Sequence, residues 1–126
     1  MKFTALHQIA GRLGDVDASI RFWRDLLGLE LIAHFDPPGV VFVDLGGPRL
    51  LLEASANPAA IYLAVDDLDA AYESLRSAGL VFHDAPHRVF LDDRGTFGGA
   101  GEEERMTFID DPGGNLVALV ERRAAR

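Results

Sequence analysis

Glu53 closes the run Leu50-Leu51-Leu52 and is the side chain of this sequence best suited to proton chemistry. A carboxylate ending an apolar strand is at least partly enclosed; burial raises its pKa and a nearby cation lowers it. Glu53 is therefore a candidate general base, for a proton next to a carbonyl or for a bound water. Arg12 shares strand parity with Gln8, and Arg49 with Glu53. Each arginine either pairs with the carboxylate, holds an anionic substrate, or is solvated at a strand end. Of the four histidines, His7 alternates against Gln8 and is expected to face a helix, while His34 and His83 fall at strand ends and read as surface residues. His87 could lean inward from a strand beside the one carrying Tyr62. There is no cysteine, which removes disulfides, thiolate ligands and a thiol nucleophile together. No G-x-S-x-G, P-loop or dinucleotide fingerprint is present.

These residues are positioned by a duplicated unit. Asp15-Val16-Asp17-Ala18-Ser19-Ile20-Arg21-Phe22-Trp23-Arg24 recurs as Asp67-Leu68-Asp69-Ala70-Ala71-Tyr72-Glu73-Ser74-Leu75-Arg76, and each copy runs on to a Gly-Leu pair. Asp15 and Asp67 are good N-caps. The first helix is predicted to run to about Leu27, with Ile20, Trp23, Leu26 and Leu27 as its buried stripe. The second ends near Ala78-Gly79. Around the first helix, strands are predicted over 3–12, 29–35, 40–45 and 49–54, with turns at Asp36-Pro37-Pro38-Gly39 and Gly46-Gly47. Residues 55–58 read as a linker. The second unit is predicted to carry strands over 60–65, 80–83, 87–91, 105–109 and 115–121, the last two joined by the turn Asp110-Asp111-Pro112-Gly113-Gly114. Residues 92–104, rich in Gly and acidic side chains, read as a mobile loop, either a lid or a plain connection. The order βαβββ twice, with 80–83 a strand more in the second copy, gives an α+β fold of two tandem modules, about 1–55 and 59–123 within one domain. Two such units can close curved mixed sheets around a shared cavity.

Composition narrows the partners. The chain has 126 residues and a formal net charge of −8, with 12 Lys plus Arg against 20 Asp plus Glu. Such a surface repels phosphate backbones, so nucleic-acid binding is not expected. No apolar run approaches the roughly 20 residues that span a bilayer. The start leads straight into a strand pattern, so no signal peptide and a cytoplasmic location are expected. Arg122, Arg123 and Arg126 read as a solvated end.

The order and punctuation of these segments resemble the vicinal oxygen chelate superfamily, which includes glyoxalase I, extradiol dioxygenases, methylmalonyl-CoA epimerases and bleomycin resistance proteins. The matching stretches are residues 15–29, residues 65–71 and Asp111-Pro112-Gly113-Gly114-Asn115-Leu116-Val117. The resemblance implies four cavity-facing positions that hold a divalent ion in metal-using members. Here these are Gln8, Glu53, Ala60 and Ala118. The two alanines offer no lone pair, so only half the site, Gln8 and Glu53, is kept. Two protein ligands are too few for a tight zinc, magnesium or manganese site. Tyr62, at the parity of Ala60, and His87 are the conceivable substitutes. No two-His, one-carboxylate set stands at these positions, which disfavours an iron dioxygenase.

The resemblance therefore implies a homodimeric protein for a small organic ligand. One reading is a lyase or isomerase of the glyoxalase type, with Glu53 as base and Gln8, Tyr62, His87 and Arg12 orienting the substrate. The other is a non-catalytic protein that sequesters a drug or metabolite.

Overall fold

The computed structural model describes residues 1–126 and contains two compact units. The first comprises Met1–Ala59 with Asp110–Leu116; the second comprises Ala60–Ile109 with Val117–Arg126. The first unit is built from β1 (Gln8–Arg12), α1 (Val16–Ile20), β2 (Leu31–Phe35), β3 (Val40–Asp44) and β4 (Arg49–Glu53). Its sheet has the order β1-β4-β3-β2. β1 and β4 are parallel, and the other two pairs are antiparallel. The helical connection between β1 and β2 is what permits the parallel pair, since parallel strands need a crossover. The second unit repeats the pattern with β5 (Ala60–Ala64), α2 (Leu68–Ser77), β6 (His87–Asp92), β7 (Glu102–Asp110) and β8 (Leu116–Ala124), in the order β5-β8-β7-β6.

Alternation along the strands separates two faces. Val41, Val43, Leu50 and Leu52 are buried and form the first unit's core with Phe22 and Trp23. Gln8, Arg12, Phe42, Arg49, Leu51 and Glu53 occupy the opposite, open face. The second unit buries Ile61, Leu68, Leu75, Ile109, Val117 and Leu119. Both helices begin as their caps predict: Asp15 accepts from Ala18 N at 2.9 Å, and Asp67 from Ala70 N at 3.1 Å.

Several local expectations need correction. The first helix is α-helical only to Ile20, and Arg21–Leu26 form a π-helical turn in which Leu27 N donates to Phe22 O at 3.0 Å. The wider turn lets consecutive Phe22 and Trp23 both point inward, so the buried stripe gains Phe22, while Ile20, Leu26 and Leu27 are only half-buried. Residues 1–7 precede β1 rather than extend it, and His7 is exposed instead of facing a helix. Residues 80–83 are not a strand.

Of residues 92–104, expected to be a loop, only 93–101 connect β6 to β7, and this hairpin connection is held from within. Both oxygens of buried Asp92 accept backbone N–H groups, from Thr96 at 2.7 Å and Phe97 at 2.9 Å. Glu102, Glu103 and Glu104 belong to β7, and each faces an arginine. The supposed solvated end is also strand: β8 continues to Ala124. Arg122 pairs with Asp92, Glu102 and Glu104, while Arg123 bridges Glu103 and Glu121. A chain of alternating charge follows, Arg88–Glu103–Arg123–Glu121–Arg105–Asp69. Glu121 also accepts from Leu68 N at 3.1 Å, tying β8 to the start of α2.

Hydrogen bonds from Arg88 and Arg123 hold the Glu103 carboxyl below the usual range, against the opposing effect of burial. The unfolded chain, with Glu near 4.3, then binds more protons than the folded one in the window below that value. Stability from this group is complete above about pH 4.3 and lost as pH falls through the lower folded value. Urea midpoints followed from pH 6 downward should therefore show wild type and Glu103→Gln converging on acidification. Parallel curves through that range would remove Glu103 from the acid response.

Candidate functional site on the open face of the first sheet

The parallel register of β1 on β4 decides which side chains meet. It pairs Gln8 with Arg49 at one end of the ladder and Arg12 with Glu53 at the other. Arg49 Nε donates to Gln8 Oε1 at 2.7 Å. The Arg49 guanidinium carbon also lies 5.3 Å from the centre of the Phe42 ring, which in turn meets Phe35 edge-on at 6.1 Å. Asp44 stands opposite Arg49 on β3, but its carboxylate caps the following turn, accepting from Gly46 N at 2.9 Å.

Glu53 is half-buried, between Arg12 on β1 and Val40 on β3. Its carbonyl accepts from Leu13 N at 3.0 Å and Ala56 N at 3.2 Å, which pins the strand end. Its carboxylate makes no hydrogen bond or ion pair, so its lone pairs are free for a ligand. Arg12, in register beside it, is turned elsewhere: its Nε donates to Gly113 O at 2.8 Å.

That contact belongs to a clamp missed by the sequence reading, which saw residues 110–114 as a turn, Asn115 as the start of the last strand, and Asp111 to Val117 as a family-like stretch, and gave Asp111 and Asn115 no partners. Asn115 Oδ1 accepts from Arg12 N at 3.0 Å and Ala59 N at 2.8 Å, and its Nδ2 donates to Arg12 O at 2.8 Å. Asp111 in turn holds Asn115 and accepts from Trp23 Nε1 at 3.0 Å. Two glycines make room for it. A Cβ on Gly11 would lie 2.8 Å from Asn115 Oδ1, and one on Gly113 would collide with the Arg12 carbonyl oxygen. The available signal was the spacing of Asp, Gly-Gly and Asn in one turn, which fits a carboxylate folding back onto backbone N–H groups.

The other sequence candidates are dispersed. Ala60 and Tyr62 lie on the exposed side of β5, where the Tyr62 ring meets Phe108 edge-on at 6.3 Å. His87 is on β6, at the opposite edge of the sheet, and not on a strand neighbouring β5 as expected. Three strand spacings, about 14 Å, separate those edges. The His87 ring stays local, with Nδ1 3.0 Å from Ala85 O. Ala118 is fully buried.

This donor set does not fit a divalent ion. Gln8 and Glu53 stand four residues apart along the ladder, about 13 Å by strand rise. The Gln8 amide oxygen already faces a guanidinium, and no group of three His, Asp or Glu side chains is arranged to hold an ion.

The sequence profile of the Glyoxalase/Bleomycin resistance protein/Dioxygenase superfamily matches residues 5–119. The chain belongs to this superfamily. Solved structures share the fold over nearly the whole chain. A superfamily member from Sphaerobacter thermophilus is 24% identical, with a TM-score of 0.70 over 94% of this chain and 98% of that one. A lactoylglutathione lyase from Agrobacterium tumefaciens is 21% identical, with a TM-score of 0.70 over 96% of each chain. An integron cassette protein from V. cholerae is 18% identical, with a TM-score of 0.72 over 96% of this chain and 97% of that one. No functionally curated protein matches. Within the superfamily fold, the chain has no helix long and apolar enough to cross a membrane.

Proposed function

We propose that this glyoxalase-superfamily protein binds a small carbonyl compound on the open face of the first sheet and moves a proton there, with Glu53 as base. The observation that carries the reading is the Glu53 carboxylate: half-buried, fixed at its backbone and without a side-chain partner. A carboxylate in that state keeps a lone pair for a C–H next to a carbonyl. The proton passes to Glu53 and the C–H electron pair becomes the C=C of an enolate; where that carbon also bears a hydroxyl, loss of the hydroxyl proton to water forms the new C=O, the C=C pair takes the proton back from Glu53 at the former carbonyl carbon, whose oxygen is protonated by water, and the isomerisation is complete. Without return of the proton to carbon, expulsion of a leaving group from the enolate gives a lyase outcome. The chain's fold likeness to a lactoylglutathione lyase is compatible with either.

The test is deuterium incorporation from D₂O, followed by NMR, on chelator-treated protein with a panel of 2-oxoaldehyde–thiol adducts, simple ketones and 2-oxo acids. Exchange next to the carbonyl, insensitive to the chelator, is the expected result. Binding without exchange on any member of the panel would move the protein to the second reading, sequestration of a drug or metabolite. Ala60 and Ala118, which carry no functional group, favour that alternative.

A further inference from the structure

We infer that Gln8, Arg49 and Phe42 form a carboxylate-recognition site, so that the ligand of the first sheet's open face carries a carboxylate. The inference rests on the ligand face proposed above and names the class of molecule it takes. Arg88, Arg105, Arg122 and Arg123 are each neutralised by carboxylates of this chain. Arg49 is held differently. A neutral amide oxygen takes its Nε–H at 2.7 Å, and an aromatic ring lies against its face, 5.3 Å from the guanidinium carbon. These contacts set the plane of the group and leave its charge in place. With Nε engaged, the two terminal nitrogens make no hydrogen bond and present parallel N–H donors. That fork matches the two oxygens of a carboxylate.

Nearby acids do not fill it. Asp44 is turned to the Gly46 and Gly47 N–H groups, and Glu53 lies four residues along the ladder.

Benzoate and benzamide, alike in shape and different in charge, test the site by NMR titration of the whole chain. Benzoate is expected to give saturable shifts at the Arg49 Nε–H and the Gln8 side-chain amide, with benzamide about tenfold weaker or more, one decade being the scale of a lost charge-assisted pair. Arg49→Gln should weaken benzoate by about the same factor while keeping a dispersed spectrum, and Arg49→Lys should fall between. If Arg49→Gln fails to fold, Gln8→Leu, which frees the guanidinium without removing it, should weaken benzoate several-fold. Equal affinity for the two probes, benzoate binding indifferent to both variants, shifts confined to other arginines, or no saturable shift at all would each overturn the site. The outcome is separable from the Glu53 reading. Glu53→Gln should bind benzoate at least as well as wild type, and loss of the carboxylate site should leave exchange on uncharged ketones unaffected.

Discussion

Asp111→Ala is expected to lower the stability of the fold by about 3–5 kcal/mol, read as a fall in urea midpoint at unchanged slope. Asp111 is 5% exposed, and its two oxygens take the N–H groups of Trp23 Nε1, Gly113 N, Asn115 N and Asn115 Nδ2. Alanine leaves the first three of these donors without that acceptor. Each orphaned buried donor costs about 1–3 kcal/mol, and relaxation or an entering water keeps the total below the simple sum. A loss of that size is a large fraction of the roughly 5–15 kcal/mol that holds a domain together. Trp23→Phe removes one donor and leaves the carboxylate engaged, so about 1–2 kcal/mol is expected from it. The effect should also reach the functional face. Asn115, released from Asp111, is the clamp on Arg12 and Ala59, and Arg12 is the ladder neighbour of Glu53. A loss below about 1 kcal/mol for Asp111→Ala would mean that solvent already reaches these donors.

Glu53→Gln should reduce proton exchange by about 10²–10⁴-fold, the usual weight of a positioned general base. At 1.36 kcal/mol per decade this is about 2.7–5.4 kcal/mol of transition-state free energy. The amide keeps the shape of the side chain but loses its negative charge and basicity and exchanges one acceptor oxygen for an N–H donor, so affinity for an uncharged carbonyl ligand should change little while kcat falls. Because no pairing is broken when the carboxylate is replaced, stability should also be close to wild type. A variant that exchanges protons as fast as wild type would remove Glu53 from the chemistry. A variant that loses affinity and rate together would make Glu53 a binding group.

Much of this was readable from local features. The two-fold recurrence of the Asp-capped helix predicted the module order, because a cap and an apolar stripe act over one or two turns of chain. The empty chemistry of Ala60 and Ala118 was equally plain, since no fold can give alanine a lone pair. Tyr62 shares its side of β5 with Ala60, as expected, because strand parity is a property of the chain itself. By contrast, the register was decided only by long-range pairing: nothing near Gln8 announces that Arg49, 41 residues away, takes its amide oxygen. The same holds for β5 and β6, close in sequence order yet at opposite edges of their sheet, which separates Tyr62 from His87. Arg122 and Arg123 looked like a charged tail until β8 carried them beside Asp92, Glu103 and Glu104. Periodicity reports which face a side chain takes. Its partner depends on which distant strand lies alongside, and that follows from closing the whole sheet over one core.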